Sequence, residues 1–212
     1  MSTFKPVIVL AAISAIVSAL IIITYNLTYV DTSNLLTDKQ KNAVISIYGG
    51  SEEEYEVIPA EDWQPVLLLE DDSDLSRVTK LIRKADGSVA FEVVVKGYKE
   101  GYDLMVGVKD GTVAGVSVVS VGSETPELGT KTADPSFLER FKGKSGEVVI
   151  VKTTPAAENE VQGVTSATRS SNGVAKAVNI ALAAYDKLKD NIVICTSYIP
   201  ENAGELTGGE AK

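Results

Sequence analysis

The chain has 212 residues, a formal net charge of -9, one cysteine and no histidine. The lack of histidine excludes His-ligated metal sites, Ser-His-Asp and Cys-His catalytic groups and a histidine general base. One cysteine cannot form an internal disulfide, nor hold zinc or an iron-sulfur cluster by thiolates alone. The acidic balance argues against a nucleic-acid partner, because phosphates repel such a surface. We therefore predict no catalytic dyad, no metal site and chemistry that comes from a cofactor or from carboxylates.

A long apolar run occupies the first thirty residues. No charged residue lies from position 6 to position 30, which is long enough for a helix to cross a bilayer. We predict that residues 1–30 form an uncleaved signal anchor in the cell membrane, with the lipid bilayer as its partner. A cleaved signal peptide is the alternative, but this run exceeds a usual h-region. Lys5 precedes the run and Asp31 follows it, so the positive-inside rule predicts a cytoplasmic N-terminus and an extracytoplasmic main domain.

The next segment, residues 31–74, holds most of the charge imbalance. Between positions 51 and 74 there are ten acidic residues and no Lys or Arg, while the other 19 acids nearly match the 20 bases. Calcium binding is one interpretation, but residues 70–74 lack the glycine and the distal glutamate of an EF-hand loop. A solvated acidic loop near the membrane is the favoured interpretation.

From residue 75 the apolar residues alternate as they do in strands. Three β-branched runs predict neighbouring strands at 89–95, 102–108 and 113–119, and residues 109–112 predict the hairpin loop between the last two. Short connections make such a sheet antiparallel. Residues 134–141 then predict a short helix with Asp134 as N-cap and Pro135 at its first position, and residues 147–152 a further strand.

The clearest helix lies near the C-terminus, where apolar residues repeat every three or four positions. The stripe consists of Val174, Val178, Ala181, Tyr185 and Leu188. We predict that this helix packs on the sheet, which makes the fold class α+β. A last strand is predicted at residues 192–195, with Cys195 as a small core residue, and a flexible tail at 197–212.

The start of this helix is rich in hydroxyl groups. Residues 165–171 contain five Ser or Thr side chains together with Arg169, and no acid occurs between Glu160 and Asp186. Ordinary N-capping explains the hydroxyls taken alone. A helix start with free N–H groups, hydroxyls and an arginine also suits a phosphate. Both interpretations remain open from the residues themselves.

The run 164–171, VTSATRSS, resembles the (S/T)-G-A-T-x-(S/T)-S signature of one family of flavoproteins. These are the FMN-binding domains in the G subunit of the Rnf complex and in the C subunit of the sodium-pumping NADH:quinone oxidoreductase. The resemblance implies that a flavin transferase joins the FMN phosphate to Thr168 by a phosphoester bond. It also implies that the cofactor-binding residues around Thr168 are Thr165, Ser166, Ala167, Arg169 and Ser170.

A second stretch, residues 123–129, is similar to the E-T-P-G-L-G element of the same family. This similarity adds Glu124, Thr125, Leu128 and Gly129 to the implied cofactor-binding residues. The order of the intervening segments also agrees, with Lys96-Gly97-Tyr98 first, then the 109–112 hairpin, and residues 137–141 after the E-T-P element. Three positions depart from the family pattern, namely Ser166, Glu127 and Gln162.

The resemblance implies an FMN-binding domain at residues 75–196 and an electron-transfer subunit rather than a stand-alone enzyme. The implied partners are the other membrane subunits of an Rnf-type ferredoxin:NAD oxidoreductase coupled to cation translocation. A C-type subunit of the quinone reductase is one alternative. A structural subunit or binding module that has lost its flavin is another, and the three departures motivate it.

Overall fold

The computed structural model describes residues 4–28, 35–68, 74–124, 126 and 129–190. It contains two compact units, Met1–Asn34 and Leu35–Lys212. The predicted strand at 192–195 and the predicted tail at 197–212 lie outside the described residues.

The described residues of the first unit, 4–28, form the helix α1 (Phe4–Thr28). Its described apolar side chains are exposed all round the helix, a pattern that a helix packed in the core of a soluble protein does not show. Residues Val7–Tyr25 are long and apolar enough to span a membrane. The predicted N-terminal helix is present, and it is a candidate membrane span.

The second unit is built on an antiparallel sheet of five strands in the order β1-β2-β3-β4-β5. The strands are β1 (Tyr55–Ile58), β2 (Val78–Lys84), β3 (Val89–Val95), β4 (Tyr102–Lys109) and β5 (Thr112–Ser120). The three predicted strands are confirmed as β3, β4 and β5, with Lys109 paired to Thr112 across the predicted hairpin. β1 and β2 extend the meander on the other side.

One face of the sheet carries the long C-terminal helix α5 (Thr168–Leu188) and the short helix α3 (Ala60–Leu67). Of the predicted apolar stripe, Val174, Val178, Ala181 and Leu188 are fully buried, and Tyr185 packs at the margin. The α+β fold with an antiparallel sheet against helices is therefore confirmed. This packing fixes the direction in which the first turn of α5 points.

The opposite face carries α2 (Asp38–Tyr48), a helix that the sequence interpretation did not include. Its Ala43 and Val44 are buried against Ile82 and Met105 of the sheet. The two faces alternate because successive side chains of a strand point to opposite sides. The helices α2 and α5 therefore begin on opposite sides of one sheet.

The compact unit begins at Leu35, whereas the sequence interpretation placed residues 31–74 in a separate acidic segment. Residues 35–67 contribute α2, β1 and α3 to the domain, so the described part is not a solvated loop. Several of its acids pair with bases distant in sequence, which the local charge count could not indicate. These pairs are Glu52–Lys41, Glu54–Lys84, Glu56–Arg83 and Asp74–Lys176.

Smaller elements complete the α5 side. The predicted helix at 134–141 appears as α4 (Pro135–Leu138) with Asp134 as N-cap, followed by a 3-10 turn at Glu139–Phe141. The predicted strand at 147–152 is β6 (Val149–Val151), which pairs in parallel with β7 (Glu160–Gln162). β7 leads directly into the loop that precedes α5.

Candidate functional site

The first turn of α5 forms the centre of the candidate site. The helix begins at Thr168, and its N-cap residue, Ala167, has no side-chain oxygen to accept from the helix N–H groups. Thr168 is exposed, whereas Ala167 is buried. The first N–H groups of a helix lack intrahelical acceptors and carry a partial positive charge. The Thr168 hydroxyl therefore lies at an uncapped, positive helix end.

The residue before the N-cap has an unusual backbone. Ser166 has a φ of +67°, in the left-handed region that glycine adopts without steric cost. This conformation turns the chain from β7 into α5. The signature motif carries glycine at this position, and the backbone here gives the physical reason.

Two of the five hydroxyls in residues 165–171 are structural. Ser171 Oγ donates to the carbonyl of Ala167 at 2.9 Å and accepts the Val164 N–H at 3.0 Å, which closes the loop before the helix. Ser170 is also buried, and its Oγ donates to the carboxylate of Glu124 at 2.5 Å. The hydroxyls of Thr165, Ser166 and Thr168 belong to exposed residues, so the structure divides the cluster into a buried part and an exposed part.

Glu124 brings the second motif to the same place. Its side chain is 6% exposed, and its Oε1 accepts the backbone N–H of Lys99 at 3.0 Å. One carboxylate therefore joins the turn after β3, the segment after β5 and the start of α5. Gly129, also buried, lies against the same carboxylate and begins the 3-10 turn Gly129–Ala133.

A buried hydroxyl pair supports this segment from below. Thr132 Oγ1 donates to the carbonyl of Gly129 at 2.6 Å, which leaves Tyr102 as the donor in the 2.8 Å bond between the Tyr102 and Thr132 hydroxyls. The pKa of Tyr102 is raised to about 12, and burial is the largest cause. The hydrogen bond to Thr132 lowers this pKa, and the nearby Glu124 carboxylate raises it. Tyr102 is therefore a fixed neutral donor under the site at ordinary pH.

The exposed rim of the site is cationic and aromatic. The guanidinium of Arg169 lies 5.9 Å from the centre of the Tyr98 ring, within the range of a cation–π contact. Tyr98 is 52% exposed, so its ring is accessible from solvent beside Arg169. The first turn of α5 contains no acid. An anion bound at this helix end would meet Arg169 and backbone N–H groups without a repelling carboxylate in that turn.

The structure brings most of the sequence-predicted residues together. Residues 165–170, Glu124 and Gly129 surround the start of α5, while Thr125 and Leu128 lie outside the described residues. The predictions missed Tyr98 and Lys99, which complete the site. The Lys96-Gly97-Tyr98 element was a recognisable signal, but the contribution of Lys99 is a backbone N–H and has no sequence signature.

Comparison with known proteins gives the same picture. Residues 97–183 match the FMN-binding domain, a span that begins at the Gly97 turn and ends within α5. The G subunit of the Na(+)-translocating ferredoxin:NAD(+) oxidoreductase complex of Acetobacterium woodii is 32% identical over 146 residues, which cover 64% of this chain and 69% of that protein. The G subunit of the ion-translocating oxidoreductase complex of Methanosarcina acetivorans is 29% identical over 84% of this chain and 92% of its own.

A solved structure shares the fold. The crystal structure of NqrC from Shewanella oneidensis aligns with a TM-score of 0.53 at 19% identity, over 72% of this chain and 97% of that one. At this identity the likeness speaks for the fold alone. The sequence matches carry the assignment further, and they confirm the resemblance seen in the motifs: the chain belongs to the FMN-binding-domain family of G subunits of Rnf-type ion-translocating oxidoreductase complexes.

Proposed function

We propose that this chain carries FMN joined by a phosphoester to Thr168 and passes electrons between other subunits of a membrane complex. The observation that carries the proposal is the exposed Thr168 residue at the uncapped positive end of α5. A phosphate bonded there would lie beside helix N–H groups, and Arg169 is the adjacent residue. The donor set at this helix end fits the phosphate of FMN.

A covalent tether suits an electron carrier of this kind. In the transferase step the Thr168 hydroxyl displaces AMP from a flavin adenine dinucleotide donor, so that the Thr Oγ–P bond forms as the P–O–P bond of the donor breaks, and the chain gains the mass of FMN less one water. The attachment makes occupancy independent of the free flavin concentration, because the ligand cannot diffuse away. When bound, the flavin supplies the redox chemistry. The residues of this chain hold the phosphate, orient the helix end and tune the charge around it.

The proposed setting is a ferredoxin:NAD oxidoreductase coupled to cation translocation, with α1 as the membrane anchor. The names of the relatives and the apolar helix Val7–Tyr25 support this setting. We propose that the N-terminus is cytoplasmic and that the domain lies outside the cytoplasm, because Lys5 precedes the apolar run. The exposed Tyr98–Arg169 pair then lies at the surface beside the flavin tether, where a partner subunit can approach.

The direct test is the intact mass of the chain produced in cells that contain a flavin transferase. We expect the mass of FMN less one water on the wild type and on Thr154→Val, and no addition on Thr168→Val. Thr154 is the matched control, because it is an exposed threonine that lies outside both motifs. In-gel flavin fluorescence should follow the same pattern.

An unmodified wild-type chain, in cells that flavinylate a positive-control protein, would overturn the electron-carrier proposal. The structural subunit without flavin would then be the better account. It makes its own prediction: Thr168→Val should support assembly and electron transfer of the complex unchanged. Under our proposal, the variant assembles but does not transfer electrons.

A further inference from the structure

Glu124 is the most enclosed charged side chain beside the proposed flavin tether. The backbone approaches its carboxylate so closely that an added methyl group has no room. A Cβ built on Gly97 would lie 2.5 Å from Glu124 Oε1, and a Cβ on Gly129 would collide with Oε2. Real Cβ atoms do not approach oxygen so closely. The two glycines therefore form a cradle that fits this carboxylate.

The same cradle brings α5 close to the turn. A Cβ on Gly173 would lie 3.0 Å from Gly97 Cα and 3.1 Å from the carbonyl of Lys96. Helix and turn are thus in near contact, and Glu124 bonds to both through Ser170 Oγ and the Lys99 N–H. The position of the first turn of α5, which holds Thr168, depends on these two bonds.

In the described part of the chain, Glu124 is stabilised by neutral dipoles and not by a base. Its two hydrogen bonds, to Ser170 Oγ and the Lys99 N–H, come from neutral donors. Within the part of the chain that the structure describes, no Lys or Arg forms an ion pair with it. A buried charge acts over a longer range than an exposed one, because little water screens it. Ser170 and Thr168 belong to the same first turn of α5, so the Glu124 carboxylate is hydrogen-bonded to the turn that carries the proposed tether.

We propose that Glu124 is a positioning residue that also tunes the proposed flavin, by fixing the first turn of α5 and by lowering the flavin reduction potential with its negative charge. The proposal rests on the proposed function. A negative charge opposes the addition of electrons to a neighbouring group, since reduction increases the negative charge there. The two roles are separable because one depends on the hydrogen bonds and the other on the charge.

Two substitutions separate the roles in the flavin-loaded full-length chain. Glu124→Gln removes the charge and keeps the shape, whereas Ser170→Ala removes one hydrogen bond and keeps the charge. We expect Glu124→Gln to raise the midpoint potential of the flavin in a redox titration. Ser170→Ala should change the potential much less. The control Glu100→Gln removes an exposed acid from the neighbouring turn, where water screens the charge, and should leave the potential unchanged.

A potential that stays at the wild-type value in Glu124→Gln would overturn the tuning role. Equal shifts in Glu124→Gln and Ser170→Ala would overturn it as well, because the common cause would then be the altered position of the helix start.

The positioning role has a test that needs no flavin. In the unflavinylated Thr168→Val background, amide hydrogen exchange should become faster at residues 97–101 and 165–171 in both Glu124→Ala, which removes both hydrogen bonds, and Ser170→Ala, which removes one of them. The double variant should show no more than the larger single effect, because both changes break one connection. Additive effects, or exchange confined to one segment, would overturn the positioning role. If the wild type carries no flavin, only the proposed function fails, and the exchange result still decides this role.

Discussion

The two helices that cover the sheet begin in different ways, although each sends its third residue to a buried glutamate. On one face, α2 has a complete capping box, in which the Thr37 hydroxyl accepts the Gln40 N–H and the Gln40 side chain accepts the Thr37 N–H. Gln40 Nε2 then donates to Glu92 at 2.6 Å. On the other face, Ser170 donates to Glu124, but α5 has no side-chain cap. The N-terminus of α2 is therefore capped by its own side chains, whereas the N-terminus of α5 is open, without a side-chain cap.

The difference teaches which helix start serves structure alone. A capping box satisfies two of the N–H groups at a helix start, so fewer donors remain for an external anion. At α5 the same groups lie next to an exposed threonine and an arginine, so an anion has donors to bind. The buried glutamate is common to both helices and therefore does not define the site. The features that distinguish the candidate site are the absence of a side-chain cap on α5 and the presence of Thr168 and Arg169.

The surroundings of the two buried glutamates, Glu124 and Glu92, also differ. Among the residues that the structure describes, Glu124 has only neutral hydrogen-bond donors, whereas Glu92 lies near a second carboxyl group, that of Asp103. Thr79 Oγ1 donates to Glu92 at 2.9 Å, but Asp103 Oδ1 is buried and has no donor among the residues that the structure describes. Burial, followed by the charge of Glu92, raises the pKa of Asp103 to about 7.

The largest effect is expected from breaking the satisfied helix start. Gln40→Leu removes the reciprocal cap of α2 and leaves the buried Glu92 carboxylate without one of its donors. We expect the free energy of unfolding to fall by about 2 to 4 kcal/mol, from a lost cap and an unsatisfied charged acceptor. Urea unfolding at pH 7, followed by circular dichroism, measures the change.

Thr37→Ala is the matched control for this substitution. It removes the cap hydroxyl and leaves the Gln40–Glu92 bond in place, so we expect a loss of only about 1 kcal/mol. Equal losses from the two variants would show that capping accounts for everything and that the bond to Glu92 contributes nothing.

The next substitution tests the close packing around Glu124 on the α5 face of the sheet. Gly97→Ala places a methyl group against Glu124 Oε1, and that carboxylate is held by two hydrogen bonds. We expect a loss of about 1 to 3 kcal/mol in the free energy of unfolding, as for other overpacked positions. In a Glu124→Ala background the collision is gone, so Gly97→Ala should then be much less damaging. An unchanged effect in that background would locate the strain elsewhere, for example at the Tyr102 ring, 3.2 Å away.

A smaller effect depends on pH and belongs to the α2 face alone. Because the pKa of Asp103 is raised by folding, its contribution to stability is complete below the ordinary pKa near 3.8 and is lost as the pH rises through 7. Asp103→Asn does not titrate, and its amide can donate to Glu92. We expect the variant to gain about 1 to 2 kcal/mol over the wild type at pH 8 and little at pH 4. A gain that is independent of pH would contradict the assignment.

The sequence predicts those parts of the structure whose signal is local, and it does not predict those that depend on contacts between distant segments. The strands β3 to β5 were predictable because β-branched residues alternate between short turns, and α5 because its apolar stripe is continuous. β1 and β2 were not, since acids and bases such as Glu56 and Arg83 interrupt their pattern and pair across the strands. At the candidate site, the motifs indicated Thr168 and Glu124, and their role in holding a cofactor stays a prediction. The enclosure of Glu124 by the Gly97 turn depends on backbone approach, which only the fold reveals.

The smallest effect concerns the strained turn before the open helix start. Ser166→Gly replaces a residue with a φ of +67° by the one residue that adopts this conformation freely. The relief of about 1 to 2 kcal/mol exceeds the added entropy of the unfolded glycine, so we expect a net gain of about 0.5 to 1 kcal/mol in the free energy of unfolding. Asp110, with a φ of +50° in the β4–β5 hairpin, is the control, because aspartate tolerates the left-handed region better than serine. Asp110→Gly should therefore gain less. If Ser166→Gly is instead destabilising, the serine side chain contributes an interaction at the start of α5 that outweighs its backbone strain, and the open helix start has a cap after all.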